Sequence, residues 1–158
     1  MYKHNKTMYR KLSSLKNTDE SFRAVYDTIF DGSTAVKIEY SSTLRTHRIT
    51  YKEARERIEL MARGLSDKIG SNNSYVGLWG DNSPMWPLAF WAILRRGNRP
   101  FLLNTRQPVS VSAELIKTLS AVAVVEVTPS PDFLLPKYSP TELTQLGDTS
   151  PSALDESV

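Results

Sequence analysis

Apolar residues along the chain change their period in a regular order. Phe22, Val25, Ile29 and Phe30 recur at helical spacing, which predicts a helix over 21–30 that Asp31-Gly32 stops. Ala35 to Tyr40 alternates with period two and reads as a strand. Arg45 to Ile49 is its expected antiparallel partner across a turn at 41–44. Thr50-Tyr51-Lys52-Glu53 is a capping box, in which the threonine hydroxyl accepts the Glu53 N–H and the glutamate reaches back to the Thr50 N–H. Behind it Ala54, Ile58, Met61, Ala62, Leu65 and Ile69 fall on one face, and Gly70 is placed as the residue just past the helix end. Gly64 lies inside this helix at a cost of about 1 kcal/mol against alanine; close packing on a sheet is the expected reason.

Three short apolar runs follow. Tyr75 to Trp79 reads as a buried strand. Ser83 is placed to cap the next helix, Pro84 suits its first position, and Pro87 is awkward because it deletes an early hydrogen bond. That helix, ending near Arg96 and Gly97, is apolar on nearly every side and is expected to be deeply buried. Pro100 to Asn104 reads as the next buried strand, Ser110 or Ser112 opens a short helix with Leu115, Ile116 and Leu119, and Ala121 to Val127 is a third buried strand. Strands alternating with helices imply a parallel sheet with right-handed crossovers. The expected fold class is α/β: a Rossmann-like, three-layer half-domain with parallel strands, preceded by a helix and a β-hairpin.

Composition changes the picture mainly by exclusion. The chain has 158 residues, no cysteine and two histidines, His4 and His47. Disulfides, thiolate metal sites, a cysteine nucleophile and a multi-histidine metal site are thereby excluded. The absence of cysteine fits a reducing compartment, and a cytoplasmic location is the expectation. No apolar stretch reaches the roughly 20 residues a membrane span needs. A net charge of +3 is too small to imply a nucleic-acid partner. Residues 1–20 read as a basic arm: either a solvated surface or a contact for an anionic partner or membrane surface. Residues 128–158 are rich in Pro, Ser and Thr and read as an extended connector on which Phe133, Leu134 and Leu135 can dock. Residues 21–127 are left as the folded α/β part.

Three segments carry a family resemblance. Ile49-Thr50-Tyr51-Lys52-Glu53-Ala54, with the ARGL end of Ala62 to Leu65, is similar to the early (L/I)TY-x-E(L/A) motif of the adenylate-forming superfamily, which holds acyl-CoA synthetases, peptide-synthetase adenylation domains and luciferases. Val76-Gly77-Leu78 leading into Asn82-Ser83-Pro84-Met85-Trp86 resembles its V-x-(L/I) strand and NSPEW helix start. Ile93 to Gly97, then Pro100 to Arg106, resembles its LKAG and P-x-N-x-R motifs. Asn98 and Arg99 depart from the small or apolar residues usual there, and Pro87 departs from the usual helix start; both leave the subfamily open.

The resemblance implies an ATP-dependent ligase of the acyl-CoA synthetase kind, in which a carboxylic acid is activated to an acyl-adenylate and then passed to a thiol. It also implies ATP, Mg²⁺ and CoA as the larger enzyme's cofactors. The glycine-rich phosphate loop and the C-terminal-domain lysine of that family have no match here, so no cofactor, metal or catalytic residue is assigned to these residues. The chain is expected to be an N-terminal piece stopping before the phosphate loop, inactive alone and prone to self-association or to pairing with a complementary chain. The alternative is a standalone, non-catalytic interaction module. Loops at the carboxyl ends of parallel strands are the default ligand crevice, which nominates Asp81, Asn82, Ser83, Asn104 and Arg106. The plainer account makes Ser83 a helix cap, Asn82 a turn residue and Arg106 a surface charge. Trp79, Trp86 and Trp91 read as core, and Glu53 as a capping residue.

Overall fold

A computed structural model describes residues 22–149 apart from 33, 43, 44 and 71. The basic arm over 1–20 lies outside the described residues. Contacts divide the chain into two units, Met1–Arg55 and Glu56–Val158.

The first unit holds helix α1 (Phe22–Ile29), the antiparallel strands β1 (Val36–Ser42) and β2 (Arg45–Thr50), and the start of helix α2 (Tyr51–Lys68). The hairpin register pairs Glu39 with Arg48 and Tyr40 with His47. The first pair is an ion pair at 3.2 Å, and the second stacks its rings 5.0 Å apart. An irregularity between Val36 and Ile38 absorbs one residue of β1. Tyr26 and Phe30 are buried, their rings 5.0 Å apart, and Phe30 meets Tyr51 edge-on. Arg55 ties α2 to α1: its guanidinium donates to the Phe30 carbonyl at 2.6 Å and to Asp27 Oδ1 at 2.8 Å.

The capping box forms as its residues dictate. Glu53 Oε2 accepts the Thr50 N–H at 2.8 Å, and Thr50 Oγ1 accepts the Glu53 N–H at 3.2 Å. All six residues placed on the inner face of α2, from Ala54 to Ile69, are buried. Gly70 does not take the left-handed conformation of a C′ cap; among the glycines that conformation belongs to Gly32, Gly80 and Gly97.

In the second unit β3 (Tyr75–Trp79), β4 (Arg99–Leu103), β5 (Ala123–Glu126) and β6 (Lys137–Tyr138) form one parallel sheet in the order β4-β3-β5-β6. Helix α3 (Met85–Arg95) joins β3 to β4, and α4 (Val109–Thr118) joins β4 to β5. The first step moves one way along the sheet and the second returns past β3, so right-handed crossovers put α3 and α4 on opposite faces. On one face Trp79, Phe101, Leu103, Val124 and Phe133 pack with Ile116 of α4. On the other, Val76, Leu78, Ala123 and Val125 are buried, as are Leu88, Ala89, Ala92 and Ile93 of α3. Glu59 of α2 accepts from Arg95 Nε at 3.0 Å.

Several further expectations need correction. The α3 sequence is apolar on nearly all sides, yet Met85, Trp86, Phe90, Trp91 and Leu94 are only half-buried, because the sheet covers one face of the helix. Strand β4 is an edge strand and alternates; Leu102 is 54% exposed. The Arg99 N–H donates to the Ser74 carbonyl, so alternation turns the nitrogen of Pro100 to the open side, where no ladder donor is needed. Pro87 falls third in its helix, where the N–H has no intrahelical acceptor anyway.

The last correction concerns the connector. Residues 127–136 form no helix or strand and bend at 127–128 and 134–135, and Phe133 docks edge-on against Trp79 at 5.5 Å. Beyond them lie β6 and helix α5 (Pro140–Thr149). Ser139 Oγ accepts the Glu142 N–H at 3.1 Å and Pro140 takes the first helical position. Gly64 therefore packs on a helix, not on a sheet: a Cβ there would collide with the Leu143 backbone, and one at Gly147 with the Leu60 backbone. Gly64→Ala is expected to destabilise the chain by roughly 1–3 kcal/mol or more. Gly70→Ala, with open space and no positive φ, is expected to be neutral or to stabilise by up to about 1 kcal/mol. Urea midpoints of the two variants check the contrast.

Candidate functional site

Strands β3 and β4 end side by side, and their loops enclose a cleft of about 320 Å³ lined by Gly80, Asp81, Asn82, Trp86, Leu103, Asn104, Thr105 and Arg106. The register pairs Trp79 with Leu103. Continued for two residues, it brings Asp81 opposite Thr105, and the Thr105 hydroxyl donates to Asp81 Oδ1 at 2.8 Å. Asn104 shapes its own loop: its Oδ1 accepts the Arg106 N–H at 2.9 Å and its carbonyl accepts the Gln107 N–H at 3.1 Å. The Trp79 carbonyl accepts the Val127 N–H at 2.8 Å, which holds the end of β3 against the chain leaving β5.

Gly80 has φ 143°, and a Cβ there would lie 2.8 Å from Val127 Cβ. Both conformation and space require glycine. The chain then turns through Asp81 and Asn82 into α3, whose first turn places the Trp86 ring on the cleft wall, stacked at 6.1 Å on Phe90.

Of the five nominated residues, Asp81, Asn82, Asn104 and Arg106 line this one cleft. Ser83 is not among the lining residues. Nor does it cap α3: the N-cap is Pro84, without a side-chain cap, and Ser83 Oγ is buried with no hydrogen-bond partner. Residue-type reasoning missed Thr105 and Trp86. Thr105 lies between two nominated residues, and Trp86 is in the first turn after the loop, so position relative to a strand end was the available signal.

The sequence model for AMP-binding enzymes matches residues 30–153. The chain belongs to this family. No curated protein matches it by sequence. Among solved structures, the AMP-binding chain resembles the N-terminal subdomain of Klebsiella oxytoca NpsA in complex with 3-hydroxybenzoyl-AMSN, with a TM-score of 0.65 at 18% identity over 81% of this chain and 31% of that one. The fatty acyl-adenylate ligase from L. pneumophila in complex with acyl adenylate and pyrophosphate gives 0.62 at 14% over 76% and 23%. O-succinylbenzoate coenzyme A synthetase (MenE) from Bacillus subtilis in complex with AMP gives 0.61 at 14% over 70% and 29%. At these identities the likeness speaks for the fold, and the chain spans less than a third of each of those structures.

The cleft of this AMP-binding family member is lined by one carboxylate, Asp81, and one cation, Arg106. Among the described residues no group of three or more His, Asp or Glu is placed to hold a metal ion. Gly80 is the one glycine among the lining residues, so the loops offer no glycine-rich phosphate cradle. No helix among the described residues is long and apolar enough to cross a membrane.

Gly80→Ala is expected to cost roughly 1–3 kcal/mol, from a strained φ and the clash with Val127. Thr105→Val removes a partly exposed bond and is expected to cost under about 1 kcal/mol. Thermal melts check both.

Proposed function

We propose that the chain is the N-terminal part of an ATP-dependent, adenylate-forming ligase working in the cytoplasm. In that reaction a carboxylate oxygen attacks the α-phosphorus of ATP, the bond to the bridging oxygen breaks, and pyrophosphate leaves. A thiol, usually that of CoA, then attacks the acyl carbon and AMP departs. The family match over residues 30–153 carries this reading.

In this reading the residues described here supply scaffold, and the phosphate loop, metal site and catalytic lysine come from other parts of the enzyme. Residues 21–127 are its α/β core and 1–20 a basic arm. A second reading, a non-catalytic interaction module, draws on the exposed Val109, Val111 and Leu115 of α4 and on Leu134, 90% exposed.

Carboxylate-dependent ATP–pyrophosphate exchange tests the proposal. The purified 158-residue chain is expected to give none. A longer product of the same reading frame, carrying a Ser/Thr/Gly-rich loop, is expected to exchange. A stop codon directly after Val158, with a stable monomer in sedimentation and no binding of dye to apolar patches, would overturn the ligase reading. Exchange by the short chain alone would refute its predicted inactivity.

A further inference from the structure

We propose that Asp31–Gly32 is a self-modification site, where the aspartate converts to isoaspartate through a cyclic imide. This concerns the chemistry of the first unit alone and is independent of the ligase reading.

The reaction needs a nucleophile and an electrophile on adjacent residues. The Gly32 backbone nitrogen attacks the Asp31 side-chain carboxyl carbon. Its amide proton and the carboxyl hydroxyl leave as water, closing a five-membered ring. Water then reopens the ring at either carbonyl. Opening at the side-chain carbonyl restores aspartate. Opening at the main-chain carbonyl leaves the chain running through Cβ, with a free α-carboxylate. One water is lost and one regained, so no oxidant, reductant or further reactant enters.

Asp31–Gly32 is the one Asp–Gly pair in the 158 residues, and no Asn–Gly pair occurs. Both residues are exposed, and neither belongs to a helix or strand. Gly32 has φ 75°, and nothing lies within 4 Å of the position a Cβ would take. The attacking nitrogen thus has no side chain of its own residue beside it and open space on that side. Other described aspartates differ. Asp27, Asp67 and Asp148 precede residues inside α1, α2 and α5, where the following N–H is committed to a carbonyl four residues back. Asp81 and Asp132 precede Asn82 and Phe133, whose own side chains crowd the nitrogen.

The fold gives the conversion a consequence. Arg55 donates to the Phe30 carbonyl at 2.6 Å, and the Tyr51 N–H donates to the Ala35 carbonyl at 3.0 Å. Both ends of the connection from α1 to β1 are therefore tied to the start of α2. Isoaspartate adds one atom to the main chain between these ties and places a carboxylate on it. The inserted atom changes the span between two fixed ends, and the Tyr51 N–H reports the effect.

The full chain is aged at neutral pH and body temperature, then cut with a protease that cleaves before aspartate but not before isoaspartate. Methyl transfer by an isoaspartyl methyltransferase gives a second readout. Isoaspartate is expected at residue 31 ahead of the other described aspartates. Gly32→Asn keeps a residue that tolerates positive φ but sets a side chain beside the nitrogen. It is expected to slow the conversion roughly tenfold. Asp31→Glu, which would need a six-membered ring, is expected to stop it. The converted form, separated by chromatography, is expected to exchange the Tyr51 amide proton faster. Isoaspartate at residue 31 in urea but not in the folded chain overturns the proposal. So does an even spread over the aspartates, or an unchanged rate in Gly32→Asn. Unchanged exchange at Tyr51 overturns the coupling to α2. Circular dichroism of the variants separates slowed chemistry from lost fold. Failure here leaves the ATP–pyrophosphate test of the ligase reading untouched.

Discussion

Strand β3 is hydrogen-bonded along both edges, and the geometry of the site follows from that double pairing. With β4 on one side and β5 on the other, its register sets which residues emerge together at the carboxyl end. Gly77 makes the close pairing possible on one face, where the side chains of Leu103, Phe101 and Val124 crowd the space a Cβ would fill. One residue pair beyond the last ladder contact the chain must turn, and Gly80 turns it tightly against Val127. The Asp81–Thr105 bond is then a consequence of register, not an independent device.

The order of elements was legible because each strand and helix has its own period. The capping box of Thr50 and Glu53, the inner face of α2 and the end of α3 near Arg96 and Gly97 could be placed from residue types and spacing alone. These features depend on near neighbours in the chain. What could not be read depends on neighbours in space. An apolar segment such as β4 looks buried in sequence, and only the strand order makes it an edge. The same holds for α3, whose outer aromatic residues lie away from the sheet. Candidate cleft residues were legible as loop positions, whereas the failure of Ser83 to cap α3 turned on how that helix begins.

The C-terminal stretch shows how proline density misleads. Pro129, Pro131 and Pro136 do lie in a stretch without helix or strand, and Glu126 braces it by accepting from the Ser130 hydroxyl at 2.7 Å. Pro140 acts in the opposite sense, because behind the Ser139 cap its missing N–H and fixed φ suit a helix start. Gly64 and Gly147 then allow the backbones of α2 and α5 to approach at two reciprocal points. A glycine that looks costly within one helix is a requirement of the second helix, which local spacing does not reveal.

Pro100 has a consequence beyond its own strand. A free sheet margin invites an incoming extended segment to extend the ladder, a common route to aggregates. At this margin the row of amide protons has a gap at its second residue, and the pyrrolidine ring stands in the approach path. A foreign segment could be gripped only near Leu102 and the loop beyond it, too short a stretch to hold in water. The exposed leucine on this flank is thus shielded from fibril-like stacking by the imino acid two places before it.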